Sequence, residues 1–133
     1  IAGVLLYSGN QKNGGLEHTD YENLVSDWGR LDGDYVIRIS SINPDGTIQA
    51  AYFNPNPIHV AQATISLRNN SVVLKVELQD AGYPGSKYDL IYKPEEDILQ
   101  GTYFQAQIQE LYDVVFLRKN DELRLNIKDS GQL

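Results

Sequence analysis

From Leu31 onward, apolar and polar residues alternate with a period of two, in runs of about eight residues cut by short turn signals. In "GDYVIRISSI", Tyr35, Ile37 and Ile39 alternate against Val36, Arg38 and Ser40. In "VVLKVELQD", Leu74, Val76 and Leu78 alternate against Lys75, Glu77 and Gln79. Successive side chains of a strand point to opposite faces, so the pattern predicts strands buried on one face and solvated on the other. The turn signals have a mechanism. "NPDG" (Asn43 to Gly46) sets φ with its proline and accepts positive φ at its glycine. "NPNP" (Asn54 to Pro57) ends a strand, because proline donates nothing to a ladder. "RNNS" and "PEED" close two more runs.

Seven runs read as strands: "GDYVIRISSI", "TIQAAYF", "IHVAQATISL", "VVLKVELQD", "SKYDLIYK", "ILQGTYFQAQ" and "ELYDVVFLR". "ELRLNIK" (Glu122 to Lys128) alternates again and is a candidate eighth. Short connections favour antiparallel neighbours. The expected fold is mainly β: an antiparallel meander of seven or eight strands closing as an up-and-down barrel, with a β-sandwich as the alternative. A barrel of that size is narrow, either filled by side chains or holding one small ligand. Ahead of the strands, "HTDYENLVSDWGRL" spaces Tyr21, Leu24, Val25 and Trp28 as on a helix. Thr19 or Asp20 is the cap and Gly29 the stop, which predicts one short N-terminal helix. "DGDYVIRI" and "LQGTYFQA" share a glycine-x-tyrosine; such a glycine marks a bend where a sheet curls.

Composition narrows the function. The 133 residues, 41% hydrophobic and 22% charged, suit one folded domain over 16–133 after an apolar start and linker in 1–15. A net charge of −7 argues against nucleic acid and against charge-driven docking on anionic lipid. With no cysteine there is no disulfide framework, thiolate metal site or cysteine nucleophile. The start, "IAGVLLYSG", is apolar and uncharged, and the chain has no methionine. This start reads either as a first strand or disordered segment, or as the tail of a signal peptide or membrane anchor. A membrane span itself needs about 20 apolar residues. On the second reading the protein is periplasmic or otherwise exported, or tethered at its N-terminus.

Catalytic constellations are sparse. The two histidines are His18, in a polar segment, and His59, near the start of the third run and on one face with Ala61 and Ala63. No G-x-S-x-G elbow accompanies them. Asp80 and Asp89 flank the "AGYPG" loop and are a candidate carboxylate pair; Asp113 alternates with Leu111 and Val115 and is expected to point inward. Opposite these stand quieter roles, with Asp113 pairing Arg38 or Arg118. "DGDY", "NPDG" and "PEED" lack the ligand pattern of a calcium loop, and no glycine-rich phosphate loop is present, so no metal or cofactor is expected.

What stands out is tyrosine, nine in all. Tyr52, Tyr88 and Tyr103 lie on predicted neighbouring strands and offer apolar area with a hydrogen-bonding tip, as a ligand or protein surface does; cross-strand aromatic packing is the alternative. In "QDAGYPGSKYDLIY", the loop Ala81 to Gly85 needs its glycines and proline to turn, but not Tyr83. Tyr83 is therefore a candidate contact or a plug over the barrel end. Asn54 and His59 flank the other proline-bearing loop and join the candidate binding set.

"DILQGTYFQA" with "YDVVFLR", and "WGRLDGDYVIRI" with "PDGTIQAAYFNP", resemble the strand pairs of lipocalin-like and avidin-like barrels, where a G-x-Y or G-x-W strand precedes one ending in a basic residue. The resemblance implies a closed barrel over Trp28 to Arg118. It carries no ligand residues: avidins use a row of tryptophans where this chain has one, and lipocalins have disulfides and a G-x-W where Tyr35 stands here. The expected function is a non-enzymatic binding domain, acting through a protein partner as an accessory subunit of an envelope or membrane assembly. The alternatives are a small-molecule carrier using the barrel interior and, behind it, a hydrolase using an aspartate pair.

Overall fold

The computed structural model describes residues 21–119. They form one antiparallel nine-stranded sheet that curls into a nearly closed barrel. In chain order the strands are β1 (Ser26–Arg30), β2 (Val36–Ile42), β3 (Ile48–Asn54), β4 (Asn56–Ile58), β5 (Val60–Arg68), β6 (Ser71–Asp80), β7 (Tyr83–Lys93), β8 (Ile98–Gln105) and β9 (Glu110–Arg118). Their order in the sheet is β4-β3-β2-β1-β9-β8-β7-β6-β5. β1 lies between β2 and β9, so the first and last strands are joined. The two edges are the consecutive strands β4 and β5. At their seam Thr47 bridges Thr64, and the Ile65 N–H donates to the Gly46 carbonyl at 2.7 Å. The sandwich alternative gives way to this continuous curled sheet.

Nine strands replace the expected seven or eight, for two reasons. The run "IHVAQATISL" is split. The chain reverses at Pro55 so that Asn56 lies opposite Asn54, and β4 precedes the break at His59. The expected helix is the second reason. Only a 3-10 turn forms, Glu22–Leu24, and Ser26–Arg30 is a strand with Trp28 opposite Ile37. Leu24 and Trp28, four residues apart, do meet. They do so through the indole N–H donating to the Leu24 carbonyl at 3.0 Å, not through a helical turn. The cap at Thr19 or Asp20, His18, the 1–15 segment and "ELRLNIK" lie outside the described residues.

The period-two reading of the core holds. Ile37, Ile39, Leu74, Val76, Leu78, Leu90, Leu99 and Phe116 are all buried inside. Each such side chain contributes about 1.5–3 kcal/mol on burial. At Gly101 the backbone of β7 comes too close for a side chain: a Cβ there would lie 2.0 Å from the Asp89 carbonyl oxygen. Among the described residues no helix is long and apolar enough to cross a membrane.

Candidate functional site

The strands end at two differently built openings. At the base, reached by the ends of β7 and β9, Arg118 pairs with Asp97 (2.8 and 2.7 Å) and stacks over Trp28, its guanidinium carbon 4.4 Å from the ring centroid. The Tyr92 hydroxyl donates to Asp97 at 2.7 Å, and Arg118 donates to the Asn23 carbonyl at 2.7 Å. The Trp28 and Tyr92 rings pack edge to face and are both buried.

The opposite end, the mouth, holds a cleft of about 560 Å³. Local sequence explains its walls. Ala81 and Gly82 make a tight hairpin, Gly82 at φ +81°, which sets Tyr83 opposite Asp80 at the start of β7. The strand therefore begins at Tyr83, and the expected five-residue loop is a two-residue turn. Gly85, at φ +90°, lies where the register of β6 and β7 shifts, a bulge. Beyond it Ser86, Tyr88, Leu90 and Tyr92 all point inward. The Tyr83 ring packs edge to face on Tyr52 at 6.4 Å, and its hydroxyl accepts from the Asn54 amide.

Under the cleft the tyrosines are linked. Tyr52 and Tyr88 share a hydrogen bond of 2.8 Å, and Tyr88 stacks on Tyr103 with centroids 4.5 Å apart. Arg30 closes the set. It donates to the Tyr88 hydroxyl at 2.9 Å, pairs with both oxygens of Asp32 at 2.6 and 3.0 Å, and lies 4.0 Å over the Tyr35 ring. Burial works against the charge of Arg30, but the bonds to Asp32 and Tyr88 more than offset it and hold the guanidinium protonated. The same bond from Arg30 keeps the Asp32 carboxyl below its ordinary range. Burial pushes the Tyr88 hydroxyl up to about 12, against the pull of Tyr52 and Arg30, and raises Tyr52 as well.

Five of the six sequence-predicted binding residues meet at this end: Tyr52 and Tyr88 below, Asn54, Tyr83 and Tyr103 in the walls. His59 stands apart. It is exposed between β4 and β5, its N–H donates to Asp80 at 2.8 Å, and the β5 bulge near Val60 breaks the face it was expected to share with Ala61 and Ala63. Sequence reasoning missed Arg30, Asp32, Tyr35, Gln105, Gln107 and Tyr112, which also line the cleft. The signal was "GRLDGDY", hidden while Trp28 to Arg30 read as a helix end.

The carboxylate expectations are corrected. Asp113 is exposed, because Tyr112, Val114 and Phe116 form the inward set of β9. Its proposed partners are engaged elsewhere: Arg38 with Asp27 and Arg118 with Asp97. Asp80 accepts two backbone N–H bonds, from His59 and Ala81, which lower its pKa; Asp89 faces Arg68. Asp80 lies opposite Tyr83, and Asp89 is six residues further along β7, about 20 Å of strand, so they form no catalytic pair. Among the described residues no three His, Asp or Glu side chains gather as a metal site would need. No protein-family model matches the chain, and no curated protein or solved structure matches it either.

Proposed function

We propose that this protein is a non-catalytic binding domain and that the barrel mouth is its working end. The observation that carries the reading is where its exposed apolar side chains lie. Leu31, Ile108, Leu111 and Tyr112 are 63%, 53%, 65% and 39% exposed, and all four belong to segments at the mouth. Among the described residues Leu67, near the base, is the one other large apolar side chain exposed to that degree. Clustered exposed apolar groups beside tyrosines suit a protein partner. A photoreactive residue placed at Leu111 is expected to form a specific adduct in the native source. The same residue at Leu67 forms none, and Leu31→Asp abolishes the first. Equal adducts at both positions, or none at either, would end the reading.

A second reading, a small ligand held by the barrel, has its own support in the mouth cleft. Leu90, Leu99 and Phe116, buried in the barrel, support a ligand seated at the mouth.

A further inference from the structure

We infer that the mouth cleft is a site for a neutral polyhydroxylated ligand, a sugar residue of a glycan. This rests on the second reading above and concerns the cleft, which shares Tyr112 with the apolar rim.

Charge decides the first step. The charged residues lining the cleft are Arg30 and Asp32, and they neutralise each other through two hydrogen bonds of 2.6 and 3.0 Å. An anion would have to displace Asp32, against a chain of net charge −7. A cation would have to displace Arg30, which Tyr88 and the face of Tyr35 also hold. A neutral ligand enters with the pair intact.

Polarity decides the second. Asn54, Gln105 and Gln107 bring amides to the walls. No hydrogen bond joins the side chain of Gln105 or Gln107 to another described residue. A hydrocarbon laid over these groups would strip them of water with nothing in return, at about 1–3 kcal/mol for each buried unpaired group. The ligand must therefore donate and accept densely.

Shape decides the third. Amide, carboxylate and guanidinium groups are planar and present paired polar atoms, which match the adjacent hydroxyls of a sugar ring. Tyr103 and Tyr112 are directly opposite on β8 and β9, and the partly exposed Tyr112 ring offers an apolar surface for the C–H face of the same ring. The volume of about 560 Å³ falls in the range of small-molecule sites, about 300–1,000 Å³, with room for more than one sugar unit.

The test titrates the full chain, by NMR and calorimetry, with neutral oligosaccharides of glucose, galactose, mannose and N-acetylglucosamine. Their uronate and sulfated counterparts and palmitate are titrated alongside. At least one neutral saccharide is expected to bind, with Tyr112→Ala weakening it about tenfold and Gln107→Ala less, at an unchanged urea midpoint. Three results would each overturn the assignment: an acidic saccharide binding about tenfold tighter than its neutral parent, binding of palmitate at the mouth, or no saccharide shifting any resonance at about 10 mM. The titrants tell the two failures apart: an acidic saccharide or palmitate bound at the mouth leaves the small-ligand reading standing and only the ligand class wrong, whereas no titrant shifting a resonance ends both.

Discussion

The two ends of the barrel are assembled from the same parts and differ in what the parts connect. Each has an arginine over an aromatic ring, doubly bonded to an aspartate and touching a tyrosine network. At the base, Arg118 reaches Asp97, 21 residues back, and the Asn23 carbonyl, 95 residues back. It thereby ties β9 to the β7–β8 turn and to the 3-10 turn. At the mouth, Asp32 is two residues from Arg30, so that ion pair is local; the long-range bond of Arg30 goes to Tyr88, 58 residues away. Exposure follows connection. The Asp97 side chain is 32% exposed and that of Asp32 is 59% exposed. An ion pair that joins distant elements acts as a clasp, and one closed within three residues leaves its atoms facing a cleft. Only the carboxylate end of the mouth pair is exposed, so Asp32 is more readily explained by what it presents than by what it holds.

The largest expected effect is at the clasp. Trp28 is fully buried beneath Arg118 and against Tyr92. Trp28→Ala should cost about 3–5 kcal/mol in urea unfolding, from lost burial and the cavity left behind. A loss below about 1 kcal/mol would mean that the base is not the anchor, and the contrast between the ends would fall.

The body of the barrel was far more legible in the sequence than either end. Alternation over Leu74, Val76 and Leu78 fixes an inward face because polar residues separate them. The "NPDG" turn forms as its residues dictate, with Gly46 at φ +93° and its N–H on the Asn43 carbonyl at 3.0 Å. β9 failed for the opposite reason. "ELYDVVFLR" carries apolar residues on both faces, so two parities compete, and burial of Val114 and Phe116 outweighs that of Leu111 and Val115. β1 failed because Leu24 and Trp28 mimic helical spacing while the sheet, through Ile37 and the end of β9, supplies the partners that decide the matter. The five tyrosine and asparagine residues of the mouth were found by type. Arg30, Asp32 and Tyr35 were not, since only the curl of the sheet brings the β1–β2 connection beside β7 and β8.

Alkali probes the mouth's floor and comes next in size. Tyr88 is neutral in the fold up to about 12, chiefly through burial, against an ordinary tyrosine near 10. A raised folded pKa means that the stabilisation is complete below about pH 10 and is lost as pH rises through about 12. The loss is on the order of 3 kcal/mol. Phenolate absorbance followed with unfolding should show ionisation and loss of structure rising together in that window, and Tyr88→Phe should flatten the pH dependence there. Free ionisation near pH 10 with the fold intact would show that the floor is wet.

The smallest effect is the most discriminating, because Tyr83 lies between the two kinds of end. Its ring leans on Tyr52 as a structural residue does, yet it lines the cleft beside Asn54. Tyr83→Phe keeps the ring and removes the hydroxyl, which should cost about 0.5–1.5 kcal/mol if the bond to Asn54 is an ordinary one. Removing the hydroxyl also frees the Asn54 amide toward the cleft. If Tyr83 is only a wall, ligand or partner affinity at the mouth stays the same or improves while the urea midpoint falls slightly. If affinity drops and the midpoint does not move, Tyr83 is itself a contact. The wall is the expected outcome, since a side chain already packed on Tyr52 and bonded to Asn54 has little left to offer a partner.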